Sequence, residues 1–164
     1  MKRIFSANEV PREQVEIAMA ELKRDAVLRF SDEALLEAQR AAQRSLPQLP
    51  DFRQLPLVTI DPVGARDLDQ AMYLERSDAG YTVYYAIAAV SLFVAPGGAL
   101  DQAVHQRGVT VYLPDRAIPL HPLVLSAGAA SLLPAQDRPA YLWRIELNAA
   151  GEIERAHVQL AMVR

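Results

Sequence analysis

A chain of 164 residues, 51% hydrophobic and 23% charged, has the make-up of one globular domain or of one domain with an appended piece. It contains no cysteine, which excludes disulfides, thiolate metal centres and a cysteine nucleophile. Its 17 basic and 20 acidic residues leave a net charge of −3, which argues against a protein that grips duplex DNA through many phosphate contacts but admits an enzyme whose bound cations neutralise phosphate.

The first fifty residues read as helical. Pro11 suits the first turn of a helix running to about Phe30, with Val15, Ala18, Met19 and Leu22 at helical spacing. Ser31 then reads as an N-cap, with Asp32 and Glu33 placed well against the helix dipole. A second helix is expected from Ala34 to about Ser45, ended by Pro47 and Pro50. This segment reads as a helical arm packed on the next domain, with a remnant of a nucleic-acid-binding module as the alternative.

From Leu55 the pattern changes to strands. Leu57-Ile60 and Ala71-Glu75 flank an acidic loop, and Ser77-Asp78-Ala79-Gly80 is a turn. Tyr81-Val90 reads as a strand whose apolar end is buried on both faces. A short helix is expected over Ala99-Gln106, ended by Gly108. Val109-Leu113 is a short strand, and Pro114, Pro119 and Pro122 impose an irregular stretch. Arg138-Asn148 and Glu152-Val163 form a hairpin about Ala149-Ala150-Gly151, with Tyr141, Trp143 and Ile145 expected to face the core. The fold class is α+β: an N-terminal helical segment, then a mixed, largely antiparallel sheet with short helices. The division expected is residues 1–50 and residues 51–164.

No apolar run is long enough to cross a bilayer, and Met1-Lys2-Arg3-Ile4-Phe5 lacks the long apolar core of a secretory signal. A cytoplasmic monomer that does not engage membranes is the expectation.

The chemistry concentrates in Asp61-Pro62-Val63-Gly64-Ala65-Arg66-Asp67-Leu68-Asp69-Gln70. Three carboxylates share one short loop that Pro62 and Gly64 keep tight. Like charges at close range raise one another's pKa unless a cation intervenes. Mg²⁺ favours carboxylate and water oxygens and completes its shell with substrate phosphates. The loop therefore reads as a Mg²⁺ site facing phosphate. On spacing alone, a solvated acidic turn remains the competing explanation.

The residues around and beyond the loop decide between the two. Thr59-Ile60-Asp61, Arg66-Asp67-Leu68-Asp69, Ala86-Ile87-Ala88, Pro96-Gly97, Ala99-Leu100-Asp101, Arg107-Gly108, Val111-Tyr112-Leu113-Pro114-Asp115, Ile118-Pro119-Leu120, Leu125-Ser126, Ser131-Leu132 and Gly151-Glu152-Ile153 occur in one order. From about Leu55 to Arg164 this series resembles the RNB catalytic domain of the ribonuclease II/ribonuclease R family, in its N-terminal part. The resemblance implies processive hydrolysis of single-stranded RNA from the 3′ end to nucleoside 5′-monophosphates, with Mg²⁺, or Mn²⁺ in its place, as cofactor. It assigns Asp61, Asp67, Asp69 and Gln70 to the metal, and Asp67 and Asp69 to catalysis, Asp69 being most tied to the chemical step. Tyr112 matches an aromatic residue that stacks on a base, a contact tolerant of sequence. Arg66 reads as an RNA-phosphate contact through its planar fork, with a loop salt bridge as the alternative.

Two positions depart from the family. Gln70 stands where a further Asp is common; its carboxamide can lend an oxygen to a metal, or hydrogen-bond RNA or a neighbouring strand instead. Ala89 replaces an Asp common in an Ile-Ala-Asp-Val run. These departures sustain a second function class, a non-catalytic RNA-binding or interaction protein on a degenerate RNB scaffold. His105, His121 and His157 are scattered and make no zinc pattern. Ser126 and Ser131 lack a glycine-flanked nucleophile elbow. Arg107, Arg116 and Arg138 read as charged surface. Family catalytic domains are longer, so a portion of a longer enzyme is expected.

Overall fold

The computed structural model describes residues 11–25, 29–113 and 116–164. Helix α1 spans Arg12–Asp25. It ends before the expected Phe30, since Arg29 and Phe30 are not helical; residues 26–28, and the side chains of Met19 and Leu22, lie outside the described residues. Val15 and Ile17 are exposed. Helix α2 spans Asp32–Gln43, two residues short of Ser45. Its N-cap is Ser31, whose Oγ accepts from the Ala34 amide at 3.2 Å.

Strands β1 (Gln70–Ser77), β2 (Gly80–Ala88), β5 (Arg138–Asn148) and β6 (Ile153–Val163) form a wholly antiparallel sheet in the order β1-β2-β5-β6. Asp78 and Ala79 make the two-residue β1–β2 turn, with Ser77 opposite Gly80. Gly80 has φ +153°, and a Cβ there would sit 2.0 Å from the Leu147 carbonyl oxygen, so no side chain fits. The β5–β6 turn is held by Asn148, whose Oδ1 accepts from Ala150 N at 3.0 Å and Glu152 N at 2.9 Å.

Opposed residues of an antiparallel sheet share a face. One face carries Ala71, Ala86, Ala140, Leu142 and Ala161, all buried, and packs against Leu68, Leu132 and Leu133 from the loops. Tyr141, Trp143 and Ile145 lie on the other face, where Tyr141 stays exposed and the other two are half-buried. The expected core face of β5 is therefore corrected. Both faces of the strand are apolar, so alternation could not choose between them; the small residues at Ala86, Ala140 and Ala161 let the loops approach one side.

The remaining segments depart further. Leu57-Ile60 is not a strand. Val58 alone pairs, exchanging two 2.9 Å bonds with Met72, and Ile60 is exposed. Pro56 has no N–H to extend the ladder on the N-terminal side of that bridge. Strand β2 ends at Ala88 and passes through Ala89 into a 3₁₀ turn, Val90–Leu92. Its end is buried on one face only, because Ile87 is exposed.

Helix α3 spans Ala99–Arg107 and stops at Gly108, φ +72°. Its first turn is capped from α2: Glu37 Oε1 and Oε2 accept from Ala99 N at 3.0 Å and Leu100 N at 2.9 Å. A carboxylate here satisfies orphan donors and complements the dipole. A Cβ on Gly98 would meet Glu37 Oε2 at 2.8 Å. Ala34 and Ala38 of α2 share a second core with Phe93, Leu100, Leu125 and Ala130. The strand expected over Val109-Leu113 shortens to β3, Val111–Tyr112. It pairs with β4, Ala117–Ile118, inside the stretch expected to be irregular. Pro114 and Asp115 lie outside the described residues. A π-helical turn, Leu125–Ala129, closes the second core.

Candidate metal and RNA site

The acidic loop is built by three local devices. Ala65 N donates to Pro62 O at 3.0 Å, and Gly64 takes φ +88°, which folds the chain back after Asp61. Leu68 is then buried in the main core, between the exposed Asp67 and Asp69. Successive side chains of an extended segment alternate in direction. Burying Leu68 thus turns the two flanking carboxylates outward together. Finally, Ala88 N donates to Asp69 O at 2.9 Å, tying the loop's end to β2.

The clamp over this loop is Ser131, 1% exposed. Its Oγ accepts from Leu68 N at 2.9 Å and donates to Arg66 O at 2.6 Å. Leu132 N donates to Leu68 O at 2.9 Å, so adjacent residues grip both backbone groups of Leu68. Arg138 Nε donates to Ser131 O at 2.9 Å from behind. In the sequence Ser131 stands out only as part of the family series and as a serine without a nucleophile elbow, and nothing there marks it as a clamp. The two partners are more than sixty positions apart, and no local pattern marks such a pair.

Asp61, Asp67, Asp69 and Gln70 line one cleft of about 580 Å³, with Tyr85 and Tyr112 on its walls. Desolvation raises the Asp69 carboxyl above its ordinary pKa, and the charges of Asp67 and then Asp61 add to the rise. Among the described residues, no group of three His, Cys, Asp or Glu side chains stands ready to hold a metal ion. Mutual repulsion opposes such a cluster when no cation is bound. One or two carboxylates plus water and phosphate oxygens suffice for Mg²⁺, and the oxygen-only donors on this wall fit a hard cation in that mode. Gln70 Oε1 accepts a hydrogen bond from the Tyr85 hydroxyl on β2.

Tyr112 is 75% exposed at the cleft rim, so it is no core aromatic. Arg66 is exposed beside a second hollow that Asp67, Asp69 and Tyr112 also line. Among the described residues it has no ion pair, which removes the loop salt bridge considered for it. Ala89 is fully buried and its N–H donates to Pro139 O at 3.0 Å.

Arg107 and Arg138 are not the charged surface expected of them. The Arg107 guanidinium lies 3.7 Å from the centre of the Phe30 ring, a cation–π contact. Arg138 reaches Ser131 O and also Asp137 O, at 3.0 Å. Burial lowers both their pKa values, without discharging groups that stay protonated in proteins. His105 Nδ1 contacts Asp101 O at 2.9 Å on the exposed side of α3. Burial likewise lowers the pKa of His121.

The sequence matches the RNB domain over residues 50–164. The chain belongs to the RNB-domain family. Among its relatives, ribonuclease R of Acidithiobacillus ferrooxidans is 39% identical over 142 residues, 87% of this chain and 30% of that protein. The structure of apo RNase R from Mycoplasma genitalium matches with a TM-score of 0.78 at 26% identity, over 99% of this chain and 26% of that one. That protein has also been solved with ribose-methylated single-stranded RNA and with double-stranded RNA. A yeast pseudonuclease shares the fold, with a TM-score of 0.62 over 84% of this chain and 16% of that one, at 15% identity. This RNB chain therefore spans under a third of these proteins' lengths. Among its described residues, no helix is long and apolar enough to cross a membrane.

Proposed function

We propose that this RNB chain carries the metal-bearing part of a 3′-to-5′ exoribonuclease that releases nucleoside 5′-monophosphates from single-stranded RNA. The observation that carries the reading is the convergence of Asp61, Asp67 and Asp69 on one cleft with an exposed Tyr112 at its rim. Asp61, Asp67 and Asp69 would hold Mg²⁺ or Mn²⁺. The bound ion supplies charge neutralisation and a water activated near neutral pH. Tyr112 offers a face for a terminal base to stack on. Arg66, without a carboxylate partner among the described residues, is open to a phosphate oxygen. Leu68 in the core and Ser131 over the loop fix the backbone from which Asp67 and Asp69 project.

The competing reading is an RNA-binding protein on an inactive scaffold. It is favoured by the absence of a ready three-ligand group among the described residues and by the Gln70 oxygen being engaged with Tyr85. An assay of mononucleotide release from an end-labelled single-stranded oligoribonucleotide, using the intact gene product with and without Mg²⁺, separates the two. Metal-dependent release of mononucleotides, abolished in Asp69→Asn, is expected. Tight RNA binding without release would establish the second reading.

A further inference from the structure

Gln70 is the one polar residue of the acidic loop that departs from the family pattern toward neutrality, and the fold gives it a partner. It lies on β1, and Tyr85 lies on β2 opposite Met72, two positions along the ladder. That places both side chains on the same face of the sheet. The Tyr85 hydroxyl donates to Gln70 Oε1, and both residues line the cleft with the three aspartates.

A carboxamide is bipolar. Its oxygen can approach a cation, whereas its NH₂ only donates hydrogen bonds. A phenol bound to the oxygen selects between those two edges. We infer that Tyr85 is a positioning residue that holds the Gln70 carboxamide by its oxygen, leaving the NH₂ edge to donate to an anionic oxygen of RNA in the cleft. Gln70 then reads the nucleic-acid backbone rather than coordinating the ion. This rests on RNA being the cleft's ligand, as in the proposed function, and supplies a contact that a carboxylate at this position cannot make.

Neutrality makes chemical sense here. Three carboxylates, Asp61, Asp67 and Asp69, already line this wall beside Gln70. A phosphate approaching it gains from a neutral donor and loses from a fourth carboxylate. With Gln70 turned to RNA instead of the ion, the pair has a signature distinct from that of the aspartates.

The test uses the intact protein, and binding of a fluorescent single-stranded oligoribonucleotide read by anisotropy in EDTA, where no metal contributes. Gln70→Glu keeps the side-chain length and removes the donor. Its affinity should fall roughly tenfold, the scale of one hydrogen bond to a charged group. Tyr85→Phe should weaken binding roughly threefold, with the melting temperature read alongside. The double variant Tyr85→Phe/Gln70→Ala should bind no worse than Gln70→Ala, since residues acting as a unit are not additive. A Mg²⁺ titration by thermal shift should place Gln70→Ala within about twofold of wild type, because that change removes the amide oxygen without altering the charge of the cleft. Clearly weaker Mg²⁺ binding by Gln70→Ala, unchanged RNA affinity in Gln70→Glu or Tyr85→Phe, or additive losses in the double variant would each overturn the inference. Wild-type protein that binds RNA without hydrolysing it removes the nuclease reading and leaves this inference standing. Wild-type protein that does not bind RNA removes both.

Discussion

Ser131→Ala isolates what holds the acidic loop in place. The hydroxyl makes two bonds in the native chain, from Leu68 N at 2.9 Å and to Arg66 O at 2.6 Å. Alanine removes one oxygen and leaves the rest of the side chain intact, so packing changes little. The Leu68 N–H is buried and cannot recover a water; leaving such a group unpaired costs about 1–3 kcal/mol. Arg66 is exposed, and its carbonyl can turn to solvent, so its loss is the net worth of one bond, about 0.5–1.5 kcal/mol. The sum is about 1.5–4.5 kcal/mol, or a melting temperature lower by roughly 3–18 °C for a domain of this size. Urea titration of the intact protein should show a lower midpoint with an unchanged slope, which marks a loss of stability without a change in the surface exposed. With Mg²⁺ bound as proposed, the stabilisation it gives should shrink too, because Asp67 sits between the two clamped backbone groups. Ser126→Ala is the control: its hydroxyl reaches His121 O at 3.4 Å, and its loss should stay within about 0.5 kcal/mol. A Ser131→Ala protein as stable as that control, with an unaltered response to Mg²⁺, would refute the clamp.

The same geometry sets four more outcomes. Glu37→Gln should cost about 1 kcal/mol by weakening a charged cap on α3, and Glu37→Ala more; circular dichroism melts report both, and an unchanged Glu37→Ala would show that water caps α3 equally well. Asp69→Asn should reduce kcat by at least about 100-fold while leaving RNA affinity within a few-fold, the mark of a group acting in the transition state; single-turnover kinetics with a binding isotherm decide it. Asp69 has a raised pKa in the fold, so its contribution to metal-free stability is greatest below its ordinary value and is lost as pH rises through the raised one. Metal-free Asp69→Asn should therefore melt higher than wild type at neutral pH, and an equal or lower melt would contradict the repulsion. Asp51 and Asp137 have pKa values lowered chiefly by hydrogen bonds from Arg53 and Arg164. Their support is present above the ordinary carboxylate range and fades as pH falls through the lowered values. The acid limb of the stability profile should flatten in Asp137→Asn, and an identical limb would deny the network a role.

Much of this molecule is legible in the order of its residues, and for local reasons. Ser31 as a cap, α3 between Gly98 and Gly108, the two-residue turn before Gly80 and the long β5–β6 hairpin are all specified by neighbouring residues, because caps and turns demand particular side chains at particular positions. The tight acidic loop is equally plain as a loop, since a proline and a glycine among three aspartates mark a turn within ten positions. Every choice among partners distant in sequence needed the tertiary structure. The chain could not say which apolar face of β5 is buried; Leu68, Leu132 and Leu133 decide that by packing against Ala86, Ala140 and Ala161. It could not show that Glu37 caps a helix sixty residues away, that Ser131 holds Leu68, or that Tyr85 takes the oxygen of Gln70. Each of those hydrogen bonds is short in space and long in sequence. Only the folding of the sheet and its loops brings the pair together, so side-chain chemistry is readable from the order of residues while its orientation is not.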